Sequence, residues 1–180
     1  KEPSIYHDVI ATSRSRFGWL LINLLTAIMA SLVISLFDAT IQQIVALAIL
    51  MPIVASMGGN AGTQALTVAV RALAMREVSN INSFRVIWKE TIVGALNGVA
   101  FAVVIGIVTF FWFKNTELAV IIAIAMIINL IVAGLFGAGI PICLNRIGSD
   151  PAISSTVILT TVTDVIGFLI FLGLAATFLI

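Results

Sequence analysis

Asp164 stands deep inside a long apolar segment, with Thr156 and Thr160 before it at four-residue spacing, so the three share one face of a helix. A carboxylate at the centre of a bilayer costs about 2.5 to 3.5 kcal/mol on insertion scales, and its default meaning is a position on an ion or proton path. Thr161, Asp164 and Gly167 form a neighbouring stripe. Carboxylate, hydroxyl and carbonyl oxygens suit a hard divalent cation or its waters, whereas no His, Cys or second carboxylate stands nearby to suit a transition metal. The structural alternative is a carboxyl group hydrogen-bonded to threonine hydroxyls in helix packing.

A second polar set precedes it. Asn60, Gln64, Thr67 and Arg71 fall at i, i+4, i+7 and i+11, descending from the glycine-rich run Met57-Gly58-Gly59-Asn60-Ala61-Gly62. Such a stripe fits the wall of a wet cavity, with Gly58 and Gly59 opening the backbone beside Asn60. Equally, Gly58 and Gly62 at four-residue spacing let two helices approach while the amides bond between helices. Gly94 and Gly98, with Asn97 between them, and Gly134, Gly137, Gly139 and Pro141 read as packing or bending positions. Asp150 precedes Pro151 as a cap and first-turn pair, and Glu90 adjoins Lys89 at the membrane boundary, where a salt link or water explains it. Both are also candidate ion contacts on the cytoplasmic side. Cys143 stands alone, which excludes an internal disulfide and a cysteine cluster, and reads as packing.

The elements that carry these residues follow from composition. The chain has 180 residues, 61% hydrophobic and 9% charged, with a mean hydropathy of +1.22, whereas a soluble domain carries about 25% charged residues. It is an all-α membrane protein, because the ten-residue alternation of an outer-membrane barrel is missing. Five spans are expected, at 17–37, 41–75, 88–113, 118–144 and 152–180, separated by polar turns such as Asp38-Ala39-Thr40. The second, 35 residues if straight, would reach about 52 Å against a hydrocarbon core of about 30 Å. It is expected to break near Gly58-Gly59-Asn60, with Pro52 contributing, and the stretch from Glu77 to Lys89 to form a cytoplasmic connector. Lys1, Arg14, Arg16, Arg71, Arg76, Arg85, Lys89 and Arg146 fall on one side and Lys114 on the other, so the N-terminus is expected inside and the C-terminus outside. The opening on Lys1 and the polar run to Arg16 read as the end of a linker, giving a cytoplasmic remnant at 1–16 and a transmembrane ion-conducting domain at 17–180. The few segregated charges give no reason to expect a nucleic acid partner.

The run Met51-Pro52 through Met57-Gly58-Gly59-Asn60-Ala61-Gly62-Thr63-Gln64, then Arg71-Ala72-Leu73-Ala74, resembles the second transmembrane helix of the MgtE family of magnesium channels. Asp150-Pro151-Ala152 followed by Thr163-Asp164-Val165-Ile166-Gly167 is similar to that family's fifth helix. The resemblance implies a homodimer in the plasma membrane with its pore on the two-fold axis, lined mainly by the second and fifth helices. It implies Mg2+ as the transported ion, six-coordinate with its waters, and Asp164 as the selecting carboxylate. It also implies an upstream cytoplasmic region of the same polypeptide, a helical domain with paired CBS modules and a plug helix. Residue chemistry alone does not separate magnesium from calcium, manganese, cobalt or nickel; the resemblance makes that choice. Two other readings stand beside the channel: a proton- or sodium-coupled secondary transporter with its site at the broken helix, and a dimerising membrane anchor. No enzyme is expected, since an intramembrane aspartyl protease needs a second catalytic aspartate and no other span carries one.

Overall fold

The computed structural model describes residues 8–79, 82–148 and 151–180. Its helices are, in chain order, α1 (Val9–Ser35), α2 (Asp38–Gln43), α3 (Ala46–Ala74), α4 (Ser83–Phe113), α5 (Thr116–Arg146) and α6 (Pro151–Phe178), with no strand among the described residues. All but α2 are long and apolar enough to cross a membrane, which makes this a multi-pass membrane protein with five candidate spans. Helices are what lipid requires, since each backbone N–H and C=O must be satisfied within its own segment. At 31 residues, α4 is about 46 Å long and exceeds the hydrocarbon core by several turns. The excess takes in Arg85, Lys89 and Glu90, so the expected connector is helical from Ser83 onward.

The ends are set by local chemistry. Helix α3 stops in a Schellman arrangement: Glu77 N–H donates to the Ala72 carbonyl at 2.9 Å and Arg76 N–H to that of Leu73 at 3.1 Å, with Arg76 in the left-handed region at φ 57°. Lys114, at φ 54°, closes α4, its N–H donating to the Phe110 carbonyl at 2.8 Å. The next residue, Asn115, caps α5 by accepting from Leu118 N–H at 3.2 Å.

One expectation is corrected. The second apolar segment is interrupted not at the glycines but at Ile44, whose backbone leaves the helical region (φ −128°, ψ 85°) between α2 and α3. Helix α3 then runs unbroken through Pro52 and Gly58-Gly59-Asn60. The physical reason lies in what surrounds two of the glycines. A Cβ on Gly58 would lie 2.5 Å from Asn129 Nδ2, and one on Gly62 would lie 3.0 Å from Leu159 Cδ2. These glycines admit neighbouring helices, and that packing outweighs the roughly 1 kcal/mol per glycine by which they disfavour a helix.

Helix α5 is the centre, packed by α3, α4 and α6, while α1 lies outermost against α6. Ile122, Ala125, Met126 and Leu130 of α5 are buried together with Leu50 and Val54 of α3 and Phe171 of α6. Between helices in lipid there is no hydrophobic driving force, so close packing must hold them. Gly94 of α4 faces the Leu130 carbonyl and Gly134 of α5 faces the Glu90 carbonyl, while a Cβ on Gly137 would lie 2.7 Å from the Gly62 carbonyl oxygen. The packing role expected of Gly94, Gly98, Gly134 and Gly137 holds, whereas Gly139 faces open space.

Candidate ion-conducting site

Asp164 occupies the middle of α6, thirteen residues after Pro151 and fourteen before Phe178. Asn60 is likewise fourteen residues from each end of α3. Two helices that pack on each other therefore each carry a polar group at half-span, the depth at which lipid tolerates it least. Thr160 and Thr156, one and two turns before Asp164, are exposed, and Asp164 and Thr161 are half-buried. The Asp164 carboxylate has no hydrogen bond or ion pair among the described residues.

The threonines are already committed as donors. Thr160 Oγ1 donates to the Thr156 carbonyl at 2.9 Å, and Thr161 Oγ1 to that of Val157 at 2.8 Å. With its one proton turned back to the helix, each hydroxyl keeps two lone pairs for outside donors. The same arrangement recurs on α3, where Thr63 Oγ1 donates to the Gly59 carbonyl and Thr67 Oγ1 to the Thr63 carbonyl, both at 2.8 Å. Such faces present acceptors, which suits a cation whose bound waters point their hydrogens outward.

The residues named from sequence on α3 divide into three groups. Asn60 and Thr67 are exposed on one face that also bears Ser56 and Thr63; Asn60 Nδ2 donates to Ser56 Oγ at 3.3 Å. Gly59 is half-buried, and a Cβ there would meet open space. Gly58 is buried against Asn129 and belongs to the packing, not to an open wall. Gln64 turns toward α4 and lines a small cleft of about 40 Å³ with Glu90 and Asn97. Glu90 thus meets an amide cleft and is half-buried. Asp150 lies outside the described residues.

Three contributors escape the sequence reading. Ser56 and Thr63 continue the open face at i−4 and i+3 from Asn60, a spacing visible in the sequence. Asn129, an amide in the most buried span, is 1% exposed and donates through Nδ2 to the Val54 carbonyl at 2.9 Å. Its signal was its polarity within an otherwise apolar run; its partner, 75 positions away, had none.

Among the described residues no three His, Cys, Asp or Glu side chains gather into a metal-binding group. The chain therefore offers scattered oxygens along two helix faces, a pattern suited to guiding a cation with its waters and not to caging a bare one.

Comparison with known proteins agrees with this chemistry. The MgtE family, described as a divalent cation transporter, matches residues 51–174. The magnesium transporter MgtE of Bacillus subtilis (strain 168) is 35% identical over 164 residues, covering 91% of this chain and 36% of the relative. That of Enterococcus faecalis is 32% identical over 175 residues, 97% of this chain and 39% of the relative. For Thermus thermophilus the match is 34% over 167 residues, 92% of this chain and 37% of the relative. The chain thus spans well under half the length of these relatives.

Proposed function

The chain belongs to the MgtE family of divalent cation transporters, and from that premise we propose that it is the transmembrane domain of a magnesium channel of the plasma membrane. It conducts hydrated Mg2+ through a pore on the two-fold axis of a homodimer. The observation that carries this reading is the carboxylate of Asp164 at the middle of α6, without a partner among the described residues and on a face of exposed threonines. Lipid cannot cover that face at half-span; a water-filled lumen can.

A two-fold axis brings two copies of Asp164 toward one ion with no further sequence requirement. The empty pair repels itself, and a divalent cation offsets both charges. Magnesium holds its waters at about 2.0 to 2.1 Å and exchanges them reluctantly. With a charge-assisted contact of about 2.5 to 2.7 Å between water and carboxylate, each carboxylate oxygen stands about 4 to 4.5 Å from the metal. Thr156, Thr160 and Thr161 from α6, and Asn60 and Thr67 from α3, hold further waters. Recognition through waters also leaves the ion free to depart, as conduction requires.

The orientation is N-terminus inside. Supporting it, Arg14 and Arg16 stand near the start of α1, Arg71 and Arg76 at the end of α3, Arg85 and Lys89 near the start of α4, and Arg146 at the end of α5. In an up-and-down order these ends share one side, and Lys114 stands on the other. The greater length of the relatives supports a cytoplasmic regulatory region as partner in the same polypeptide. The test is magnesium uptake into liposomes bearing the chain. Asp164→Ala is expected to abolish it, and uptake equal to the unsubstituted protein would sink the assignment. Single-channel currents with no accompanying proton or sodium movement are expected; slow, strictly coupled flux would favour a carrier instead.

A further inference from the structure

At the depth of Asp164 the three inner helices meet around one side chain. Asn129 of α5 donates through Nδ2 to the Val54 carbonyl of α3, while its Oδ1 is buried without a hydrogen-bond partner among the described residues. Two glycines bracket the carboxamide: a Cβ on Gly58 of α3 would lie 2.5 Å from Nδ2, and one on Gly167 of α6 would lie 3.1 Å from Oδ1 and 3.2 Å from Val54 Cγ1. Gly58 is two residues before Asn60, and Gly167 is three residues after Asp164. The amide fills the space that both glycines leave open.

Packing alone does not account for an amide here. Leaving a buried acceptor unpaired is destabilising, and a leucine, which branches at the same atom, would avoid it. What leucine lacks is direction. The bond to Val54 fixes the rotation of α5 against α3, and the planar group, held by that bond, spaces α6 at Gly167. Neighbouring carbonyls and glycine Cα atoms in such a junction shift together, and through them so do Asn60 and Asp164.

We propose that Asn129 is a positioning residue of the conduction path: its carboxamide, tied to Val54 and wedged between Gly58 and Gly167, sets the spacing and rotation of α3 and α6 at mid-span, and thereby where the Asp164 carboxylate stands relative to the Asn60 face. This rests on Asp164 being the ion-selecting group. Asn129 touches no ion itself; it acts through the two helices it separates.

The experiment is magnesium uptake into liposomes at varied magnesium, with calcium as competitor, on the unsubstituted chain and three variants. Asn129→Leu is expected to raise half-saturating magnesium about fivefold or more and to weaken the preference over calcium, since coupled contacts of this kind shift affinity by that order. A purely structural asparagine would lower maximal uptake only; unchanged half-saturation and preference in folded Asn129→Leu overturn the proposal. Should that variant not fold, the steric pair decides. Gly58→Ala, whose Cβ displaces Nδ2, is expected to produce the same shift, and so is Gly167→Ala, whose Cβ would crowd Oδ1. Unchanged half-saturation and preference in both also overturn the proposal. Asp164→Asn runs in parallel: undiminished uptake there removes the underlying reading, whereas loss there beside a silent Asn129→Leu removes the positioning role alone.

Discussion

Replacing Asp164 by Asn removes one charge per protomer while keeping the side chain's size and an acceptor oxygen, so it separates charge from shape. In α6 the residue is thirteen positions from one end and fourteen from the other, about 20 Å each way at 1.5 Å per residue. That exceeds two Debye lengths of about 8 Å at physiological salt, so charges beyond the helix ends cannot substitute for it. With a doubly charged ion about 4 Å away, one carboxylate contributes about 2 kcal/mol even at the dielectric constant of water, and two contribute about 4 kcal/mol. Asp164 is half-buried, which lowers the effective constant and makes these values a floor. Half-saturating magnesium is therefore expected to rise by a factor between about 30 and about 1,000. The assay is a titration of external magnesium against the rate of rise of a magnesium-sensitive dye inside liposomes. Asp164→Glu, which keeps the charge but extends it by one methylene, serves as comparison and is expected to retain a substantial part of the affinity. A half-saturation for Asp164→Asn within about threefold of the original refutes the electrostatic reasoning, because it would limit the charge's worth to about 0.7 kcal/mol. Equal impairment of the Asn and Glu variants would assign the effect to shape.

Thr160→Val removes a hydroxyl whose donor is already spent on the Thr156 carbonyl, leaving only its acceptor role to lose. Half-saturating magnesium is expected to rise about two- to tenfold with folding unchanged, as read from the same titration. Gly94→Ala drives a methyl into the Leu130 carbonyl, whereas Gly59→Ala meets open space. Thermal unfolding in detergent should register a loss of about 1 to 3 kcal/mol for the first and less than about 0.5 kcal/mol for the second. Asn115→Ala deletes the cap that accepts from Leu118 N–H; about 1 kcal/mol of stability should go with it, while uptake per folded molecule stays the same. Loss of uptake per folded molecule would show that this turn contributes to conduction.

Much of the fold is legible from composition because lipid leaves so few options. Apolar segments of this length become helices, and the turn at Lys114-Asn115 falls where polarity returns, whereas Asp38-Ala39-Thr40, expected as a turn, opens the short helix α2. The break in the second segment was misread because a glycine carries no information about which use is made of its missing Cβ. Gly58, Gly59 and Gly62 are alike in the sequence, yet the first admits Asn129, the third admits Leu159 and the second faces open space. Rotation of α3 was partly misread for a related reason. Gln64 shares a helical stripe with Asn60 on paper, but in the folded chain it turns to the α4 cleft, since nearly apolar helices give little sign of which side meets a neighbour.

What the sequence determined by itself is the membrane, the five spans, the family's two motifs and the charge at the centre of the last helix. Each of these is a property of one segment in its solvent: hydropathy, length, and the penalty on a carboxylate far from water. What only the tertiary structure decided is which of the chain's small and polar residues face one another. It set Asn129 between Gly58 and Gly167, gave Gly58 to packing and Asn60 to the open face, and moved the interruption to Ile44. Those outcomes depend on close contacts between residues 38 to 75 positions apart, where a single Cβ decides whether two helices can touch.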